Sequence, residues 1–163
     1  MPDPYPLEAL LNVRLYREDA ANRSVAIAKR ELKEALETAQ AVREALSAWR
    51  IWRDAETERR YEALLGRPVV IEKLQAFNQG LANLSQQELE KTAAVEAADK
   101  KALECRKKME TAAQAARAAR QNTAKIELHK SIWAEESKKE AERAEDLELE
   151  EFHPVLQQAD EDS

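Results

Sequence analysis

The sequence predicts an all-α chain, two long helices folded back on each other as an antiparallel coiled-coil hairpin. Three observations carry that expectation. Ala, Glu, Lys, Leu and Arg dominate the 163 residues, the composition of long helices. Glycine occurs twice (Gly66, Gly80) and proline five times, too few for the turns of a sandwich, barrel or α/β fold. Two proline-free stretches, each with heptad spacing, flank a single Gly-Arg-Pro break at 66–68.

The first helix is expected over about 7–65. Pro2, Pro4 and Pro6 close a leader, and no further proline follows until Pro68. Val25, Ala28, Leu32, Ala35, Ala39, Val42, Leu46 and Trp49 then alternate at spacings of three and four. Gly66 suits the left-handed residue that ends a helix, and Pro68 the first turn of the next. The tip is therefore placed at 66–68 and the second helix at about 69–152. Its stripe runs Leu74, Phe77, Leu81, Leu84, Glu88, Lys91, Val95, Ala98, Ala102, Cys105, Met109, Ala112, Ala116, Ala119, with two polar members. The arms would measure roughly 88 and 126 Å. Residues 153–163, after Pro154, are expected to fray, and the whole chain 1–163 forms one hairpin.

A capping box and hydrophobic staple at Leu84-Ser85-Gln86-Gln87-Glu88-Leu89, just after Gly80, would start a new helix. The unbroken heptad phase from Leu74 to Val95 argues for one continuous helix instead. Folding at residue 67 sets positions opposite each other when their numbers add to about 134. Leu32 then lies near Ala102, Ala39 near Val95, and Leu7 opposite Glu127. About 25 residues of the second helix would overhang.

Charge is uneven. Residues 1–65 carry 11 basic and 12 acidic groups, residues 66–134 carry 12 and 8, and residues 135–163 carry 3 and 12. The last segment, at −9, would repel nucleic acid and acidic membrane and favour a basic protein surface. No apolar run approaches the roughly 20 residues of a bilayer span, and the N-terminus lacks the pattern of a secretory signal. Cys105 stands alone, so no internal disulfide is expected.

Chemistry is hard to assemble from these residues. His129 and His153 fall in no metal-ligand spacing with Cys105, and the two glycines are too far apart for a phosphate loop. Carboxylates on a two-helix hairpin face water without a pocket. Cys105, on the stripe, reads as a small buried hydrophobe before a nucleophile. We expect no enzyme, no cofactor and no metal. The basic stretch from Lys100 to Lys125 has no aromatic residues and is interleaved with acids, so it reads as a solvated face before a nucleic-acid site.

Two docking sites for other proteins are expected. Near the tip, the seam of the first helix turns polar at Arg53, Glu56 and Arg60. By the pairing rule residues 53–60 face 74–81, leaving Leu74, Phe77 and Leu81 without apolar cover, with Trp52 beside them. The alternative is that local twist buries them against Trp49, Trp52 and Leu64. On the overhang, His129, Trp133, Glu135 and Glu136 form the second site. For Trp133 the alternative is packing on the leader, against Tyr5 or Leu7.

Two segments go beyond what composition produces: Tyr5-Pro6-Leu7-Glu8-Ala9-Leu10-Leu11, and Lys125-Ile126-Glu127-Leu128-His129-Lys130-Ser131-Ile132-Trp133 followed by Glu/Lys/Ala repeats. With the hairpin body between them, they resemble the YscO family of bacterial type III secretion, which is related to flagellar FliJ. The resemblance implies a fold similar to the gamma-subunit coiled coil of rotary ATP synthases. It also implies a non-enzymatic central stalk that couples a hexameric secretion ATPase to the export gate. The partners implied are that ATPase, to which the terminal end (His129, Trp133, Glu135, Glu136) would dock, the export gate, toward which the tip patch would point, and the chaperones of secreted translocators. A monomer in the bacterial cytoplasm, peripheral at the inner-membrane base of the apparatus, is what it implies for state and location. The competing readings are a structural coiled-coil scaffold that self-associates and a basic-faced nucleic-acid binder.

Overall fold

The computed structural model describes residues 3–161, with side chains described for residues 3–152. Two helices make up the fold, α1 (Glu8–Leu64, 57 residues) and α2 (Ile71–Glu161, 91 residues), and the described residues contain no strand. They pair antiparallel as a coiled-coil hairpin. Two compact units can be distinguished, one of Met1–Arg23 with Gln114–Ser163 and one of Ser24–Ala113.

In the unit Ser24–Ala113 the heptad stripes form the seam. Ala28, Ala35, Ala39 and Leu46 of α1 are buried, as are Leu84, Ala102 and Cys105 of α2. Ala35, Ala102 and Cys105 form one cluster with Leu32 packed against it. Alanine dominates this seam because a one-carbon side chain lets two helices approach closely and loses no rotamer freedom on burial. The two polar members of the α2 stripe are accounted for by side chains on α1. Glu88 accepts from Arg50 at 3.1 Å and also from Arg53, while the Lys91 ammonium lies 5.7 Å from the Trp49 ring.

Gly66 ends α1 at φ +77°, the left-handed conformation that favours glycine. Pro68 does not open α2. Residues 68–70 are non-helical, and α2 starts at Ile71, with the Leu74 N–H donating to the Val70 carbonyl at 3.1 Å. The non-helical link at 65–70 moves the folding point beyond residue 67 and shifts the register. Arg53 reaches Glu88 where residue 81 was expected, Tyr61 meets Phe77 where 73 was expected, and Arg43 pairs with Asp99 where 91 was expected. The expectation that residues 53–60 face 74–81 is therefore corrected by four to eight positions, one to two helical turns. Ala39 opposite Val95 is displaced in the same sense.

Helix α2 runs unbroken through Gly80 and Ser85. The capping box goes unused because Leu81 and Leu84 stay in phase with the seam, and Leu84 is buried. At Gly80 an added Cβ would stand 2.9 Å from Nη1 of Arg60, the flexible end of that side chain. The helix also continues to Glu161, past the end expected at 152. Pro154 forfeits its own main-chain N–H bond without ending the helix. The side chains of the expected frayed tail, 153–163, lie outside the described residues.

In the unit Met1–Arg23 with Gln114–Ser163 the seam continues beyond the two named stripes. Leu11, Ala116 and Thr123 are buried. The Thr123 hydroxyl is satisfied inside its own helix, donating to the Ala119 carbonyl at 3.0 Å. Pairing here is also later than expected. Glu8 meets Lys130 at 2.9 Å, and Tyr5 reaches as far as Trp133. From Lys138 to Phe152 every side chain is exposed, which makes the free length of α2 shorter than 25 residues within the described side chains.

Candidate docking sites

The tip site belongs to the unit Ser24–Ala113. Leu74 and Trp52 are each 48% exposed, as the sequence reading required. Phe77 and Leu81 are only half-buried. The reason is the register: Tyr61, not the polar stretch 53–60, stands opposite Phe77, edge-on at 4.9 Å and 69°. Trp52 tilts against Trp49 at 6.4 Å instead of covering the patch. Sequence reasoning missed the larger part of this surface. Leu65, Val69, Val70 and Ile71, in and just after the turn, are all exposed and run on to Leu74. The signal was legible, because four large apolar residues flank Gly66-Arg67-Pro68 where turn chemistry asks for polar ones.

Beside this surface, Glu56 receives the Arg60 guanidinium at 3.0 Å and a second one from Arg59. The Arg60 hydrogen bond, helped by the Arg59 charge, holds the Glu56 carboxyl below the usual glutamate range.

The terminal site belongs to the other unit. The segment Asp3–Pro6 crosses α2, and Tyr5 is buried in the contact. Prolines on both sides restrict the leader to extended backbone, which lowers the entropy lost when Tyr5 docks. The phenol oxygen lies 2.6 Å from Nδ1 of His129. With the neutral imidazole carrying its proton on Nε2, the phenol donates. The Tyr5 ring meets Trp133 edge-on, and the Lys130 ammonium sits 5.9 Å from its centre. Trp133 therefore takes the alternative weighed for it, packing on the leader, and is half-buried. Glu135 and Glu136 are exposed and stay apart from this aromatic contact.

Among the described residues no group of three or more His, Cys, Asp or Glu stands close enough to hold a metal ion. Cys105 is buried in the alanine cluster. No helix among the described residues is long and apolar enough to cross a membrane.

The two segments that suggested a family lie in the terminal unit, at Tyr5 and at His129–Trp133, and the family model for type III secretion protein YscO matches residues 7–155. The chain belongs to the YscO family. YscO-type structures share its fold. The protein CT670 from Chlamydia trachomatis, described as a YscO homologue, superposes with a TM-score of 0.81 at 22% identity, covering 99% of both chains. Type III secretion protein YscO from Vibrio parahaemolyticus superposes with a TM-score of 0.79 at 25% identity, covering 90% of this chain and 92% of that one. No curated protein sequence matches. As a YscO-family type III secretion protein the chain has a helical hairpin and two chemically different surfaces. One is apolar, around the turn at 65–74, and the other is acidic and aromatic, around Trp133 and the exposed part of α2.

Proposed function

We propose that this chain is the non-enzymatic central stalk of a bacterial type III secretion system, coupling the hexameric secretion ATPase to the export gate. The observation that carries the reading is the pair of unlike surfaces on one YscO-family hairpin. Leu65, Val69, Val70, Ile71 and Leu74 expose apolar area beyond what a solvated turn needs. Residues 135–163 carry a net charge of −9 in the other unit. Two partners of different chemistry can therefore be held at once. The apolar tip faces the export gate, with Leu74, Phe77, Leu81 and Trp52 as the expected contacts. The terminal end, with His129, Trp133, Glu135 and Glu136, faces the ATPase. An asymmetric coiled coil inside a six-fold ring favours different subunit states in turn, which would order ATP turnover. Translocator chaperones are further partners, and the working location is the cytoplasmic base of the apparatus.

The deciding experiment is a pull-down with the hexameric ATPase from the same cell, followed by ATP hydrolysis with and without the chain. Capture together with faster hydrolysis supports the stalk; absence of both removes it. Removing residues 135–163 should weaken stimulation while leaving helix melting nearly intact. Stimulation that survives the truncation at physiological salt would reassign that end.

A further inference from the structure

The leader is held on α2 essentially by one side chain. Tyr5 is 7% exposed, whereas Asp3, Pro4 and Pro6 around it are exposed. Three consecutive kinds of contact converge on its ring: the 2.6 Å hydrogen bond to His129, the edge-on Trp133 ring at 5.4 Å, and the Lys130 ammonium, itself tied to Glu8. Beyond the ring the contact opens. An open hollow of about 640 Å³ is lined by Asp3, Pro4 and Pro6 on the leader and by Trp133, Ser137 and Glu140 on α2.

The behaviour of such a segment follows from how few groups hold it. Helix α1 does not depend on the phenol. Its start is secured by the backbone, with the Glu8 N–H donating to the Tyr5 carbonyl at 3.2 Å and the Leu11 N–H to the Leu7 carbonyl at 3.0 Å. Withdrawing the Tyr5 side chain therefore costs a small set of local contacts and no helical turn. Segments with few buried contacts open locally long before the fold does. What the opening uncovers is the half-buried ring of Trp133, on the face that the stalk reading assigns to a partner and beside the already exposed His129.

We propose that the leader is a displaceable latch. In the closed state Tyr5 fills the aromatic cradle of His129, Lys130 and Trp133. In the open state that cradle receives an aromatic side chain with a hydrogen-bonding group from the docking partner, the chemistry its present occupant displays. The proposal rests on the reading that this end of the chain docks to the ATPase. One ring edge of Trp133 cannot meet both occupants, so closure and docking compete. Competition lowers the apparent affinity by the fraction of molecules that are open.

The test uses the full chain with Trp49→Phe and Trp52→Phe, which leaves Trp133 as the sole indole. Acrylamide quenching of Trp133 should roughly double in Tyr5→Ala, as expected for a ring whose cover has been removed. Helicity by circular dichroism should not change. Affinity for the secretion ATPase should then move in opposite directions in two variants. Tyr5→Ala tightens binding, by roughly fivefold to tenfold for a latch closed nine-tenths of the time, while Trp133→Ala weakens it. Tyr5→Phe, which keeps the ring and loses the phenol, should tighten binding by less than Tyr5→Ala does. Weaker binding by Tyr5→Ala makes the leader part of the docking surface and overturns the latch. Unchanged affinity in Tyr5→Ala with loss in Trp133→Ala overturns the latch and leaves the docking reading standing. Unchanged affinity in both removes the docking reading and the latch with it.

Discussion

Glu88 of α2 accepts from the guanidinium of Arg53 of α1 across the seam, and both side chains sit at stripe positions where an apolar residue is the rule. Arg50 donates to the other carboxylate oxygen of Glu88, so one acid is held between two bases. Polar residues at stripe positions lower stability relative to apolar ones, yet they specify register, because a one-turn slip leaves each charge unpaired. In a seam otherwise filled by alanines, which tolerate sliding, this layer selects one alignment.

Removing one partner of that layer should cost more than removing the second. Glu88→Ala is expected to destabilise by about 1–2 kcal/mol, since Arg53, whose side chain is 24% exposed, then keeps only its exposed neighbour Asp54 as an acceptor. Arg53→Ala in the Glu88→Ala background should add little. Chemical denaturation of the four members of the cycle checks this, and strictly additive losses would show the pair to be uncoupled.

Glu56 provides a pH signature. Its carboxyl titrates below the usual glutamate range because Arg60, and then Arg59, favour the ionised form. A depressed folded-state pKa contributes stability that is present above the unfolded value and is lost as pH falls through the folded one. Carboxyl-carbon NMR titration should show the low midpoint, and Arg60→Gln should return it toward the ordinary glutamate value. A midpoint unmoved by Arg60→Gln would assign the shift elsewhere.

Gly66 and Gly80 should respond to alanine in opposite ways. At Gly66 nothing lies within 4 Å of an added Cβ, so the cost of φ +77° is purely conformational. Gly66→Ala should destabilise by about 1 kcal/mol and Gly66→Asn by less, because asparagine tolerates the left-handed region. At Gly80 the added Cβ meets only the end of the flexible Arg60 side chain. Gly80→Ala should therefore be neutral or stabilising, by up to about 1 kcal/mol, from helix propensity. Thermal melting of the two variants separates these effects.

The tip surface should divide into supporting and displayed residues. Phe77→Ala is expected to cost about 1–2 kcal/mol, because its half-buried ring meets Tyr61 edge-on. Leu74→Ala and Ile71→Ala, at 48% and 72% exposure, should stay within about 0.5 kcal/mol of the parent. If the tip docks to the gate, secretion should fall in the second pair although melting does not. Secretion unchanged in both members of that pair would take the displayed residues out of the interface.

The sequence by itself determined the two helices, their antiparallel pairing and the identity of the seam. Heptad periodicity is a local property, set by which residues recur every three and four positions. Of the eight stripe positions named in α1, none is exposed, and of the fourteen in α2 only Leu74 is. The Tyr5 and His129–Trp133 segments were equally legible as unusual. Only the tertiary structure decided which residue faces which. A seam of alanines has nearly the same shape every turn, so its pattern does not distinguish registers one turn apart. The choice falls to the six-residue non-helical link at 65–70 and to a few large or charged side chains. That choice put Tyr61 rather than a polar face against Phe77, and it put the leader's Tyr5 over Trp133. Both are contacts between residues far apart in the chain, whose geometry exists only once the two helices are aligned.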